Sequence, residues 1–374
     1  MRPLLILIAF FMSACAGGAT RQTATTTEGT RDTLRHATGF ELEHREGYTL
    51  LSLHDPQLPQ DQQNETTRFA LVPRGTNPAL PPDLQKIETP VRSTICMTSL
   101  QLSNFIALGR TDAVAGITST RHLQNPEMRA QIADGRTHRI GIEGNFDNEV
   151  IMAIDPDLII ISPYKRGGYD ALREVGIPLL PHFGYQETTP LGQAEWIKCV
   201  GELLGRRAEA DSLFAAIEQR YNALCTLAAG VKTRPTVLSG ELRSGNWYAV
   251  GGDSYLARLF RDAGADYFLA DDPHAGGVVL DFESVYASAS GARYWRILNS
   301  FDGDFSYDAL RAEDDRYADF RAWRDRGIVY CNMAEVPFYE NTPVEPDVVL
   351  ADLIAAFHPE LLPGRTPVYY RLLR

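Results

Sequence analysis

From residue 188 the apolar positions fall at helical spacing for some forty residues. Thr188 and Thr189 offer a cap, Pro190 suits a first helical turn, and Leu191, Ile197, Val200 and Leu204 make one stripe that ends at Gly205. A second stripe of Leu213, Phe214, Ile217, Tyr221 and Leu224 then runs from Arg206 to Gly230. At 1.5 Å per residue this second helix spans roughly 35 Å, the width of a small domain. It is long enough either to bridge two lobes or to lie on the surface of one large α/β domain, and the flanking pattern has to decide between them.

Upstream, residues 40–54 and 67–72 alternate apolar and polar positions, which predicts a small β element, and the proline-rich stretch 77–90 reads as a connection. A strand at 92–97 follows. Thr98 caps a helix through Leu102, Phe105, Ile106 and Leu108 that stops at Gly109, and 113–117 is a second strand, completing a βαβ unit. Asp147 caps a helix through Val150, Ile151 and Ile154 broken by Pro156, and 158–161 is an unbroken apolar run suited to a buried parallel strand. A helix at 171–175 and a strand at 177–180 close this half. After the long helix the same order returns: a strand at 236–238, a helix capped by Asp253 or Ser254 and stopped by Gly264, and a helix opening at 280–283. Strands at 294–298 and 328–331 and a helix at 348–357 follow, with 302–325 read as loop and surface helix.

Two α/β halves on either side of one long helix predict a two-lobe α/β fold, with its ligand cleft where the strand ends of both lobes face each other. The expected divisions are a processing segment at 1–15, a flexible tether at 16–35 and a β extension with linker at 36–90. The first lobe then occupies 91–205, the connecting helix 206–230 and the second lobe 231–374. With 374 residues the chain is long enough for two cores. Its 36 basic and 48 acidic residues give a net charge of −12, and no Lys/Arg run tracks a phosphate backbone, which argues against a nucleic-acid partner. Arg2, the apolar run 4–12 and the small residues after it form a signal peptide too short to span a bilayer. Its ending Met12-Ser13-Ala14-Cys15 resembles a bacterial lipobox, which implies export and a lipid anchor on Cys15. Cys96, Cys199, Cys225 and Cys331 lack metal-ligand spacing and read as buried thiols.

The run from Gly144 through Asn145, Phe146, Asp147, Asn148, Glu149, Val150 and Ile151 to Asp155-Pro156-Asp157-Leu158-Ile159-Ile160 is similar to a conserved-pattern region of the class III periplasmic binding proteins. That family serves vitamin B12 and ferric siderophore importers. Gly176-Ile177-Pro178, Leu203-Leu204-Gly205, Gly251-Gly252-Asp253-Ser254 and His358-Pro359-Glu360-Leu361-Leu362 extend the resemblance from about residue 91 to the end. The resemblance implies a monomeric, non-enzymatic binding lipoprotein without a cofactor, held in the periplasm or at the cell exterior. It would capture a small-molecule metal complex and dock on an ABC permease dimer. It further implies that Glu149 and Glu283, matching the family's acidic docking positions, pair with arginines on the two permease subunits.

No catalytic signature stands out: there is no G-x-S-x-G, no H-E-x-x-H and no phosphate loop, and the eight histidines are scattered. Only His182 closely follows a strand, and it reads as structural or as a rim residue. Candidate ligand contacts are the residues just past strand ends. Thr98 and Ser99 lie at a helix N-terminus that favours anionic or carbonyl groups. Glu143, Asn145, Phe146, Tyr164, Arg166, Tyr185, Arg243, Trp247, Tyr248 and Trp295 supply aromatic faces for a macrocycle or catechol and charges for an anionic ferric complex. Trp247 and Tyr248, just before the Gly251-Gly252 turn, are expected to line the cleft. A ferric siderophore or haem is the first expectation and cobalamin the second. Where B12 binders of the family can carry Trp at the start of the glycine loop, this chain has Glu143. An enzyme on a two-lobe fold, such as a tetrapyrrole chelatase, is the competing class, and metal insertion into a porphyrin would mark it.

Overall fold

The computed structural model describes residues 29–58, 66–118, 120, 123–142, 145–163, 169–174 and 176–374. The alternating stretches near the N-terminus form a five-stranded sheet in sequence order, β1 (Thr30–Arg31), β2 (Phe40–Arg45), β3 (Tyr48–Leu53), β4 (Thr67–Pro73) and β5 (Gln85–Thr89). All neighbours are antiparallel except β4 and β5. Two expectations change here. The stretch 77–90 is not only a connection, because its Gln85–Thr89 segment adds a parallel edge strand whose one buried apolar residue, Ile87, gave little periodic signal. Nor does the tether extend to residue 35: β1 pairs with Glu43 and His44, and Asp32 binds both His44 and Arg207.

Two buried carboxylates hold this extension against the body. Glu195 accepts hydrogen bonds from the backbone N–H groups of Arg35, His36 and Ala37, and Glu187 accepts from those of Thr38 and Gly39 as well as from the Trp196 indole. These amides have no sheet or helix partner of their own, and a carboxylate satisfies several of them at once.

The first lobe runs β6 (Thr94–Cys96), α1 (Ser99–Ala107), β7 (Val114–Ile117), α2 (Pro126–Ala133), β8 (His138–Arg139), β9 (Gly141–Ile142), β10 (Asn145–Phe146), α3 (Asn148–Ile154), β11 (Leu158–Ile161), α4 (Tyr169–Glu174) and β12 (Leu179–Pro181). Its main sheet is all parallel in the order β12-β11-β6-β7-β8. The apolar run of β11 is buried on both faces: Leu158 and Ile160 join one core, Ile159 and Ile161 another.

Helix α5 (Pro190–Leu203), capped by Thr189, leads through Gly205, whose φ of +64° is left-handed backbone suited to glycine, into α6 (Arg207–Ala229). This is the long helix read from the pattern. Its first half is tied to the extension, with Arg35 and His36 on Glu218, and its second half to the other lobe, with Arg220 on Asp347 and Tyr221 on Asp262.

The second lobe runs β13 (Thr236–Ser239), β14 (Glu241–Arg243), β15 (Asn246–Val250), α7 (Tyr255–Asp262), β16 (Asp266–Tyr267), β17 (Gly277–Leu280), α8 (Phe282–Ala289), β18 (Tyr294–Asn299), α9 (Tyr307–Glu313), α10 (Arg321–Arg324), β19 (Ile328–Asn332), α11 (Phe338–Asn341), α12 (Pro346–Phe357) and β20 (Arg371–Leu372). Four parallel strands, β16-β13-β18-β19, carry β20 as an antiparallel edge, and β14-β15-β17 form a separate antiparallel sheet absent from the sequence reading. Both lobes share one strand plan: β7-β6-β11-β12 corresponds to β16-β13-β18-β19, so α3 and α8 are equivalent helices. The fold is thus two α/β lobes joined by one long helix, with a β extension docked on the joining side.

Candidate functional site

Each lobe is built on parallel strands, and loops after strand carboxyl ends are where α/β folds place their ligands. On the first-lobe side, Thr98 and Ser99 follow β6, both half-buried. The Gln101 side chain accepts from the Thr98 and Met97 amides and so folds back on the helix start. Asn145 is exposed on β10, and Phe146, half-buried, stacks on Tyr169 with centroids 5.8 Å apart. Tyr185 lies half-buried in a single 3-10 turn after β12. Glu143, Tyr164 and Arg166 fall outside the described residues, as does Cys15.

His182 directly follows β12 and packs on Trp196 with centroids 4.5 Å apart. Its Nδ1 accepts from the Gly184 amide at 3.4 Å, and burial lowers its pKa to about 4, so the ring is neutral at ordinary pH. That is a structural histidine.

The second-lobe wall is better defined. Arg243 and Tyr248 line a 280 Å³ cavity together with Ser239, Gly240, Glu241, Val250, Leu256, Arg296 and Leu298. Glu241 pairs with Arg243 and, by this hydrogen bond first and by nearby Tyr339 and Tyr248 as lesser causes, raises the guanidinium pKa. Arg296 donates to the Tyr370 hydroxyl at 2.9 Å and lies over its ring at 5.1 Å. Burial raises the Glu313 pKa, and the Glu241 charge adds to it.

Two sequence candidates are corrected. Trp247 and Trp295 are fully buried, with rings 5.5 Å apart inside a cluster with Tyr317 and Phe320, and their indole N–H groups donate to the carbonyls of Ser239 and Gly240. Neither ring has a face left for a ligand. The reason is strand alternation: β15 turns Trp247 and Ala249 inward and Tyr248 outward. The sequence reading missed Glu241, Arg296 and Tyr339. Arg296 had a usable signal, since it is the one charge inside the apolar run of β18; Tyr339 had none.

Glu149 and Glu283 are both exposed and occupy the second position of α3 and α8. The preceding aspartates cap identically, Asp147 accepting from the Val150 amide at 3.1 Å and Asp281 from the Ser284 amide at 2.7 Å. Among the described residues, no three His, Cys, Asp or Glu side chains converge as metal ligands, and no helix is long and apolar enough to cross a membrane. Cys96, Cys199, Cys225 and Cys331 are free thiols, and burial pushes Cys225 and Cys331 up to about 12.

A family model described as periplasmic binding protein matches residues 95–333. An uncharacterized lipoprotein of Methanocaldococcus jannaschii is 26% identical over 256 residues, which is 66% of this chain and 64% of that protein, so the chain spans just under two thirds of its relative's length. A periplasmic heme binding protein from Pseudomonas aeruginosa superposes with a TM-score of 0.59 at 21% identity, covering 74% of this chain and 96% of that one. An ABC-type Fe3+-hydroxamate transport system protein from Saccharomonospora viridis gives 0.56 at 23% identity over 72% and 94%. Identities this low speak for the fold alone, and the β1–β5 extension precedes the matched region.

Proposed function

The chain belongs to the periplasmic binding protein family, and from that premise we propose that it captures an iron complex, a ferric siderophore or haem, and delivers it to the permease of an ABC importer. The observation that carries the reading is the second-lobe cavity, lined by Arg296, Tyr248 and the Arg243–Glu241 pair together with the apolar Val250, Leu256 and Leu298. Cationic heads and an aromatic face around a greasy floor suit a planar or compact ligand that is apolar in body and negative at its edge. Heme, in the name of one structural relative, has that character, and Fe3+-hydroxamate, in the name of another, is a compact iron complex. Thr98, Ser99, Asn145, Phe146 and Tyr185 are the proposed contacts from the first lobe.

The test is a thermal-shift and tryptophan-fluorescence panel with hemin, a ferric hydroxamate siderophore and cyanocobalamin. A ligand at a hundred times its Kd stabilises the fold by about 2.7 kcal/mol. For whichever iron complex binds, Arg243→Glu and Tyr248→Ala are expected to weaken affinity by about 2 kcal/mol each, roughly thirtyfold. Tyr248 is substantially exposed, so its truncation should scarcely move the melting temperature of the free protein, whereas Arg243→Glu sets a carboxylate beside Glu241 and Glu313 and should lower it modestly. Binding of cyanocobalamin alone, or an affinity for iron complexes untouched by either substitution, would defeat the assignment.

We propose further that the protein is held at the membrane by a lipid anchor on Cys15. The Cys15→Ala protein is expected in the soluble fraction after cell breakage, whereas membrane retention through a high-salt wash would show a different anchor.

A further inference from the structure

Besides α6, the lobes meet where α11 and the turn Thr342–Val344 after it pack on α1 and α5. Glu340, on the one-turn helix α11 of the second lobe, is 1% exposed. Its carboxylate accepts from the backbone amides of Gln124 and Asn125 in the first lobe, at 2.5 and 2.6 Å. The Gln124 side chain returns a hydrogen bond to the Ala334 carbonyl at 3.0 Å. These partners are more than two hundred residues apart in sequence and belong to opposite walls. Asn125 caps α2 with its own side chain, so Glu340 sits at the end of that helix where free N–H groups favour a negative charge. Helix α11 also packs along α1, whose first residue, Ser99, is on the first-lobe wall, while Tyr339 beside Glu340 remains partly exposed near Arg243 on the other.

We propose that Glu340 is an interlobe clasp, a positioning residue that sets the separation of the two cleft walls before any ligand arrives. Its buried carboxylate on two amides of the facing lobe adds a charged contact to the packing that joins the lobes away from the long helix. Without it, α11 keeps its packing on α1 and the Gln124 to Ala334 hydrogen bond, and loses the charged contact that fixes it against the start of α2. With it, the cleft is preorganised, and a ligand need not supply the ordering of the lobes on binding. The inference rests on the two-lobe fold and on these contacts, and it holds whichever ligand the cleft takes.

Hydrogen exchange followed by mass spectrometry on the ligand-free full chain tests it without a ligand. In Glu340→Ala, amides in 99–107 and 123–128 are expected to exchange at least tenfold faster, while those of the central strand 158–161 keep their rate. Glu340→Gln, which retains one acceptor oxygen, should restore part of the protection. Gln124→Ala, which removes only the returning hydrogen bond, should give a smaller rise in the same peptides. Unchanged exchange at 99–107 in Glu340→Ala would overturn the clasp. So would an equal rise at 158–161, because the carboxylate would then be stabilising the whole fold rather than joining its lobes.

Discussion

Replacing Trp247 by alanine is expected to destabilise the second lobe by about 3–5 kcal/mol, the usual range for emptying a buried aromatic site. The indole is fully buried and touches the rings of Phe282, Trp295, Tyr317 and Phe320, and its N–H holds the Ser239 carbonyl at the end of β13. The substitution leaves a cavity among four aromatic side chains that cannot collapse together without shifting β15 and β18. It also leaves the Ser239 carbonyl without its indole donor. For a lobe of this size the unfolding midpoint should fall by about 10 °C. Any loss of ligand affinity should follow from this unfolding, in contrast to Tyr248→Ala on the same strand, which should lose affinity with its midpoint kept. Calorimetry of the two proteins side by side separates the cases. A Trp247→Ala protein that melts like the wild type would mean that the indole is not the centre of that core.

The second large effect concerns transport. Charge reversal of both Glu149 and Glu283 to arginine is expected to abolish ligand uptake by the cognate transporter in reconstituted vesicles, with fold and ligand affinity nearly intact. Three observations support the proposal that the two residues dock the permease. They sit on the equivalent helices α3 and α8 of a duplicated strand plan, at the same offset from an identical aspartate cap, and both are exposed. A pair of like acidic points, one per lobe, fits a receptor made of two subunits. Opposed like charges across a docked interface cost several times the thermal energy each, and two such sites multiply their effects on affinity. Glu283 has a weak partner in its own chain, the Arg316 guanidinium 3.9 Å away, so its reversal should lower the melting temperature of the free protein only slightly. Single reversals should leave partial uptake. Full uptake by the doubly reversed protein would remove the docking role.

The amino-acid sequence by itself determined the two lobes and the helix between them. That part of the fold is written in local chemistry: Thr189, Asp147, Ser254 and Asp281 cap the helices that the pattern begins at those points, and Gly205 turns the chain where the stripe stops. Runs such as Leu158 to Ile161 identify doubly covered strands because both faces need apolar residues. Only the tertiary structure decided which side chains face the cleft. The residues at 246–250 read as one aromatic candidate cluster, yet strand pairing sends Trp247 into the core and leaves Tyr248 on the cavity, and register depends on partners at 241–243 and 277–280 that carry no local signal for each other. The same holds for the extension and for Glu340. A carboxylate that caps amides in another part of the chain looks, in sequence, like any surface glutamate, since its burial is set by what arrives from over a hundred residues away.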